Sequence, residues 1–90
     1  MIRQAQNDYW SLPALADDAA HIVDRLEAED EAEAMNALNV MAARANLSGF
    51  FSVAMSASRA AQALYIAGIS GALGSELITL AEELQAISNR

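Results

Sequence analysis

The only histidine, His21, is the first residue whose chemistry has to be considered. Asp17 lies one helical turn before it and Asp24 three residues after it, so a helix would place both carboxylates near the imidazole. A zinc site commonly takes three or four ligands from histidine, cysteine or carboxylate, and the chain has no cysteine. No nucleophile motif pairs a serine with this histidine. We therefore interpret His21 as a surface residue among acids, and we expect no catalytic activity, no metal and no cofactor.

The densest group of ionisable side chains is the acidic run at residues 26–34, LEAEDEAEA. Nine of the twelve acids lie in residues 1–34, whereas residues 35–75 contain two arginines and no acid. This distribution predicts a solvated acidic surface in the first third of the chain and an uncharged middle. Because a net charge of −7 repels the phosphates of nucleic acids, we expect no direct binding to DNA or RNA.

Three glycines, Gly68, Gly71 and Gly74, recur at intervals of three in the uncharged segment YIAGISGALG. A glycine-rich turn before a helix can bind phosphate, but no Lys-Ser or Lys-Thr pair follows this one and no strand precedes it. The triplet at 68–70 resembles the turn of helix-turn-helix DNA-binding proteins, although the next ten residues offer no side chain that reads a base edge. Two architectural interpretations stay open, an inter-helix loop and a close contact between helices through small residues.

Composition predicts one small helical domain. The chain has 90 residues, 54% of them apolar, and 21 are alanine, the strongest helix former. The uncharged run at 60–75 is shorter than the about 20 apolar residues that a membrane-spanning helix needs, so we expect no membrane association. The start, MIRQAQNDYW, lacks the apolar core of a signal peptide, and we therefore expect a cytoplasmic protein.

The first helix is predicted over residues 12–28, after an extended N-terminal arm at residues 1–11. Ser11 is a suitable N-cap, and Pro13 is tolerated in a first helical turn because its missing N–H would be unpaired there anyway. The remaining residues, 12–90, are predicted to form a single helical domain. The apolar stripe of this helix consists of Leu12, Leu15, Ala19, Ile22 and Leu26.

A break near Asp30 is predicted to separate the first helix from a second one that ends at about Asn46. Asp30 and Glu33 have the spacing of a capping box, and acids are favourable in a first helical turn. Ser48 and Gly49 then mark a turn. The inward side chains of the second helix are predicted to be Met35, Leu38, Met41, Ala42 and Ala45.

Two further helices follow from the same three- and four-residue spacing. The third is predicted to direct Phe50, Ala54, Ala57, Ala61, Leu64 and Gly68 inward, and the last, from Ser75, to direct Leu73, Leu77, Leu80, Leu84 and Ile87 inward. The predicted fold class is therefore all-α, a small helical bundle of about four helices, or helical hairpins completed by oligomerisation.

Our leading functional hypothesis is a small acidic, non-catalytic helical module for protein–protein interaction. It would self-associate or dock a protein partner through the apolar surface of residues 35–75, because alanine-rich helices bury little area by themselves. Phe50 and Phe51 are adjacent, so one ring is predicted to face the core and the other the surface. Tyr9 and Trp10 would either cover one end of the bundle or anchor a partner.

The alternative hypothesis is an acidic inhibitor or nucleic-acid mimic. Its carboxylates would occupy the basic groove of a nucleic-acid-binding protein, as small phage-encoded anti-defence proteins do. The candidate partner-binding residues under the two hypotheses are Asp24, Glu27, Glu29, Asp30, Glu31, Glu33, Phe50, Phe51, Gly68 and Gly71.

Overall fold

The computed structural model describes the backbone of residues 2–88 and the side chains of residues 13–88. Within these bounds the chain forms four α-helices and no strand, which confirms the predicted all-α bundle. The helices are α1 (Ile2–Glu27), α2 (Glu31–Leu47), α3 (Phe51–Ala67) and α4 (Gly71–Ser88). Their extensive contacts join consecutive helices, α1 to α2, α2 to α3 and α3 to α4.

The start of α1 differs from the prediction. The helix begins at Ile2, so the expectation of an extended backbone at residues 1–11 is wrong from the second residue onward. Arginine, glutamine and alanine at residues 3–6 favour the helical state. This propensity extends the helix past Ser11, which was predicted to be its N-cap. Pro13 consequently lies inside the helix, where one backbone hydrogen bond is missing. The division into an arm and a domain stays a prediction, because side-chain contacts of residues 1–12 lie outside the described ones.

The predicted break between the first two helices is confirmed. The backbone N–H of Asp30 donates to the carbonyl of Arg25 at 2.8 Å, and that of Glu29 to Leu26 at 3.0 Å. This is the Schellman arrangement, in which the residue after the helix takes a left-handed conformation, and Glu29 does so with φ of 58°. The Asp30 carboxylate then accepts a hydrogen bond from the backbone N–H of Glu33 at 3.2 Å and caps α2.

The turn between α2 and α3 repeats this arrangement with glycine. Gly49 has φ of 84°, and the backbone N–H of Phe50 donates to the carbonyl of Ala45 at 2.9 Å. The predicted turn at Ser48 and Gly49 is therefore confirmed. Because the turn is short, α2 and α3 are antiparallel neighbours.

The core is one cluster of buried side chains between the helices, and the predicted inward spacing is largely confirmed. Large buried side chains come from every helix, whereas the contact between α2 and α3 is rich in alanine. Sequence spacing did not predict the buried positions of Ala34, Ala37, Val53, Ser56 and Ala60. The predicted residues that are buried are Leu15, Ile22, Leu38, Met41, Ala45, Ala57, Ala61, Leu64, Leu73 and Leu80, and those partly buried against them are Ala19, Leu26, Met35, Ala42, Phe50, Ala54, Leu77, Leu84 and Ile87.

The glycine-spaced segment divides between a turn and a helix. Residues 68–70 form the turn between α3 and α4, as the loop interpretation predicts, and Gly68 has φ of 68°. The last helix nevertheless begins at Gly71 rather than Ser75. A Cβ atom at Gly71 or Gly74 would meet nothing within 4 Å, so the interpretation as a close helix contact is wrong at both positions.

Candidate interaction surfaces

The distribution of side-chain size on α3 differs from that in an ordinary amphipathic helix. Its buried side consists mostly of alanine and serine, with Val53 and Leu64, while four large apolar residues are exposed to solvent. Phe51 is 62% exposed and Met55 60%, and at the other end of the helix Tyr65 is 82% and Ile66 72% exposed. Spacings of four, ten and one residue place these four on one side of the helix, separated by Ser58 and Gln62.

Ala43 of α2 lies beside these residues, because it lines a groove together with Phe51 and Met55. We call these residues together the outer apolar face, which comprises Ala43, Phe51, Met55, Tyr65 and Ile66. It belongs wholly to the segment without acids.

A groove runs between α2 and α3 within the outer apolar face. Its volume is about 730 Å³, and it is open to solvent along its length. Small side chains such as Ala42 and Ala54 form its base, and Phe51 and Met55 form its wall on α3. The complete lining is Ala42, Ala43, Asn46, Phe51, Ala54, Met55, Ser58 and Arg59. A groove of this shape can receive apolar side chains of another protein.

The two arginines of the middle segment are both paired with carboxylates, although Arg59 also lines the groove. Arg44 donates from Nε to Oδ2 of Asp18 at 3.0 Å and so ties α2 to α1. Arg59 donates from Nε to Oε1 of Glu76 at 3.3 Å and ties α3 to α4. Since both guanidinium groups have carboxylate partners, the face carries no unbalanced charge.

Half of the predicted acidic partner-binding residues already have partners in their own chain. Arg25 donates to Asp24 at 2.6 Å, which lowers the pKa of the Asp24 carboxyl below its usual value, and its guanidinium lies 3.7 Å from Asp30. Glu33 accepts a hydrogen bond from the side-chain amide of Asn36 at 3.1 Å. These three carboxylates therefore stabilise the turn between α1 and α2.

The other three acids, Glu27, Glu29 and Glu31, are exposed at the same turn. Glu31 also marks where this turn lies in the bundle, because its Oε2 is 3.3 Å from the position that a Cβ atom of Gly68 would occupy. We call the turn between α1 and α2, with Glu27, Glu29, Asp30 and Glu31, the acidic turn. It adjoins the turn between α3 and α4, at the end of the molecule where α3 ends.

His21 finds its nearest carboxylate on a neighbouring helix. Its Nε2 lies 4.0 Å from Oε1 of Glu33 on α2, and both side chains are about half exposed. The expected grouping with Asp17 and Asp24 gives no ion pair within that distance. Among the described residues, no three side chains of His, Asp or Glu are arranged to hold a metal ion.

The remaining predicted site residues differ in burial and in their distance from the groove. Phe50 is half-buried against the core at the start of α3, while Phe51 points outward, so the expectation of one inward and one outward ring is confirmed. Gly68 and Gly71 lie at the turn before α4 and are remote from the groove lining. The anchor role of Tyr9 and Trp10 falls outside the described side chains and stays a prediction.

Sequence reasoning did not select Met55, Tyr65 or Ile66 as individual site residues. A signal was present, because once the inward stripe of the third helix is assigned, these large side chains fall off it. The mostly small residues of the inward stripe indicate a compact core contact, and such a contact leaves the large residues no place except the surface.

Comparisons with known proteins give no match for this chain to any family model, curated protein or solved structure. No helix in residues 2–88 combines the length and hydropathy needed to cross a membrane. The described residues thus define the class as a small all-α bundle of four helices. Its function has to be inferred from the side chains on its surface.

Proposed function

We propose that this protein is a non-catalytic protein–protein interaction module, and that the outer apolar face is the surface that binds another protein chain. The observation that carries this proposal is the distribution of side chains on α3, with mostly small residues inside and Phe51, Met55, Tyr65 and Ile66 exposed outside. Scattered exposed apolar residues are normal on protein surfaces, whereas a contiguous uncharged patch is typical of a binding site.

Energetic considerations support the same conclusion. Fully burying a large apolar side chain contributes about 1.5–3 kcal/mol, so the four α3 residues together can offset much of the entropy lost on association. Aromatic residues and methionine are enriched at such surfaces because they offer large, adaptable contact areas. Function of this kind needs no cofactor and no contact with a membrane or nucleic acid.

Photo-crosslinking tests the proposal because it traps whichever protein lies against the chosen residue. A photoreactive phenylalanine analogue replaces Met55 on the outer apolar face and, as a matched control, Ile78, which is 64% exposed on α4. Irradiation in the native cell should give a discrete protein adduct from position 55 and none from position 78. Adding Phe51→Glu to the position-55 variant should abolish the adduct, because the charge would be buried unpaired in the contact.

Two results would contradict the proposal. One is equal labelling from both positions, and the other is an adduct that persists with Phe51→Glu in a protein of unchanged helicity. Either would mean that the exposed side chains of α3 take no part in recognition.

A second candidate function is the acidic inhibitor or nucleic-acid mimic. One observation favours it, which is that Glu29 is a non-glycine residue in the left-handed conformation, and such strain is concentrated at functional sites. Glu27 and Glu31 lie beside it on the exposed turn. If this surface binds a basic groove, reversing Glu27, Glu29 and Glu31 to lysine should abolish binding to that partner and leave helicity intact. Binding that survives the reversal, or that does not weaken with salt, would exclude the mimic.

A further inference from the structure

We propose that the occupant of the outer apolar face is a second copy of this chain, whose α3 packs antiparallel to the first about a two-fold axis near Ser58. This inference depends on the proposed function, because it uses the same surface. It adds the partner's identity and the direction and register of the contact.

Two large exposed side chains of α3, Phe51 and Tyr65, lie symmetrically about Ser58. Phe51 lies seven residues before Ser58, and Tyr65 lies seven residues after it. At a rise of about 1.5 Å per residue, Phe51 and Ile66 are about 22 Å apart along the helix. An antiparallel second helix therefore brings the Phe51 end of each copy against the Tyr65–Ile66 end of the other, and the same contact forms twice, as a two-fold interface requires.

The middle of α3 permits the close approach that such an axis needs. Ser58 is small and exposed, and Ala54 beside it lies in the base of the groove. Arg59, the one charged residue of α3, lies one residue beyond Ser58, and its guanidinium is paired with Glu76 on α4. Two copies can therefore meet here with each arginine balanced by a carboxylate of its own chain.

Charge selects the antiparallel direction over the parallel one. The acidic turn adjoins the end of α3, as the contact of Glu31 with Gly68 shows. A parallel pair would place both acidic turns at one end of the dimer. An antiparallel pair separates them by the length of the 17-residue helix, about 25 Å, which exceeds the Debye length of about 8 Å at physiological salt.

The beginning of α3 complements this arrangement. No side chain caps its first turn, and that turn contains no acid, so its N–H groups and the positive end of its dipole can attract carboxylates from outside the helix, as the position of Glu83 of α4 in the same pocket as Phe51 and Ser52 illustrates. In the antiparallel pair, the acidic turn of each copy lies at the end where the α3 helix of the other begins. This charge complementarity is a property of the chain itself and favours a second copy over an unrelated partner.

Single-cysteine variants can test the inference cleanly, because the chain has no cysteine of its own. A disulfide needs Cα atoms within about 7 Å, so only residues that meet across the axis are trapped. Ser58→Cys alone should form a disulfide dimer under mild oxidation, and Ile78→Cys, the matched control on α4, should not. A mixture of Phe51→Cys and Tyr65→Cys should give the mixed dimer, with little of either homodimer.

The molar mass in solution tests for the dimer without any disulfide crosslink. The wild-type chain should sediment at twice its 9.6 kDa mass at high concentration, and Phe51→Glu should raise the dissociation constant by about a hundredfold or more. Circular dichroism of each variant confirms that it remains folded.

Three outcomes would overturn the inference. A chain that stays at 9.6 kDa at all concentrations, with no disulfide from Ser58→Cys, excludes the dimer. If position 55 nevertheless crosslinks a different protein in the cell, the proposed function stands and only the choice of occupant is wrong. Preferential Phe51→Cys homodimers would instead show a parallel pair.

Discussion

The acidic turn and the outer apolar face use their side chains in opposite ways. At the turn, Asp30 caps α2 and Arg25 links two carboxylates, so charged residues that look functional in the sequence stabilise local structure. On α3, small residues make up most of the buried side beside Val53 and Leu64, and the large residues Phe51, Met55, Tyr65 and Ile66 are mostly exposed. The comparison shows that a candidate site is best found among side chains without a structural partner, whatever their chemistry.

The largest expected effect tests whether buried Leu38 on α2 stabilises the fold while exposed Tyr65 on α3 does not. Leu38→Ala removes a fully buried side chain from α2 and should lower the free energy of unfolding by about 2–5 kcal/mol. Tyr65→Ala, at an 82% exposed position, should change it by no more than about 0.5 kcal/mol. Urea titrations at protein concentrations too low for association would measure both. Comparable losses would mean that Tyr65 belongs to the fold.

The next effect concerns the glycines at the boundary between the two regions. Gly68→Ala should lower stability by about 1–2 kcal/mol, because φ is positive there and the Glu31 carboxylate lies 3.3 Å from the new methyl group. Gly74→Ala should raise it by about 0.4–1 kcal/mol, since that helical position has open space around it. Melting curves of the two variants would show shifts of opposite sign, and shifts of the same sign would contradict this assignment of a turn followed by a helix.

A similar but smaller increase in the free energy of unfolding is expected from a substitution within the acidic turn. Glu29→Gly relieves the left-handed strain and should stabilise the protein by about 1 kcal/mol or less. Its matched control, Glu27→Gly, removes the same charge from the last residue of α1, where glycine weakens the helix, and should not stabilise. If both variants gain stability equally, relief of charge repulsion explains the effect and the strain does not.

The smallest effect is a pH dependence. Because Arg25 lowers the pKa of Asp24 in the folded chain, the interaction stabilises the protein above the usual value of 3.8 and is lost as pH falls through the lowered value. Asp24→Asn should therefore be slightly less stable than the wild type at neutral pH and equal to it near about pH 2. The difference is small because the carboxylate is well exposed. An unfolding titration that finds a difference persisting at low pH would contradict this sign.

Helical spacing predicted most of the fold because burial depends directly on it. Asp30 and Gly49 were recognisable as helix ends from capping chemistry alone. The start of α1 could not be recognised in this way. Ser11 and Pro13 form a valid signal for a helix start, but the helix propensity of the residues before them extends α1 back to Ile2. In the site, the adjacency of Phe50 and Phe51 predicted that one ring is exposed, whereas the spacing that leaves Met55 off the inward stripe of α3 was present in the sequence but does not by itself identify a binding residue.

The order in which the helices touch also bears on how quickly this protein folds. Within the described residues, the extensive contacts are between helices that follow each other in the chain. Few long loops must close before the core forms, and such low contact order is associated with folding in microseconds to milliseconds. The alanine-lined hairpin of α2 and α3 can form first from local contacts, and its exposed aromatic and methionine side chains would then be displayed from the earliest stage of folding. Laser temperature-jump relaxation should accordingly give a single fast phase.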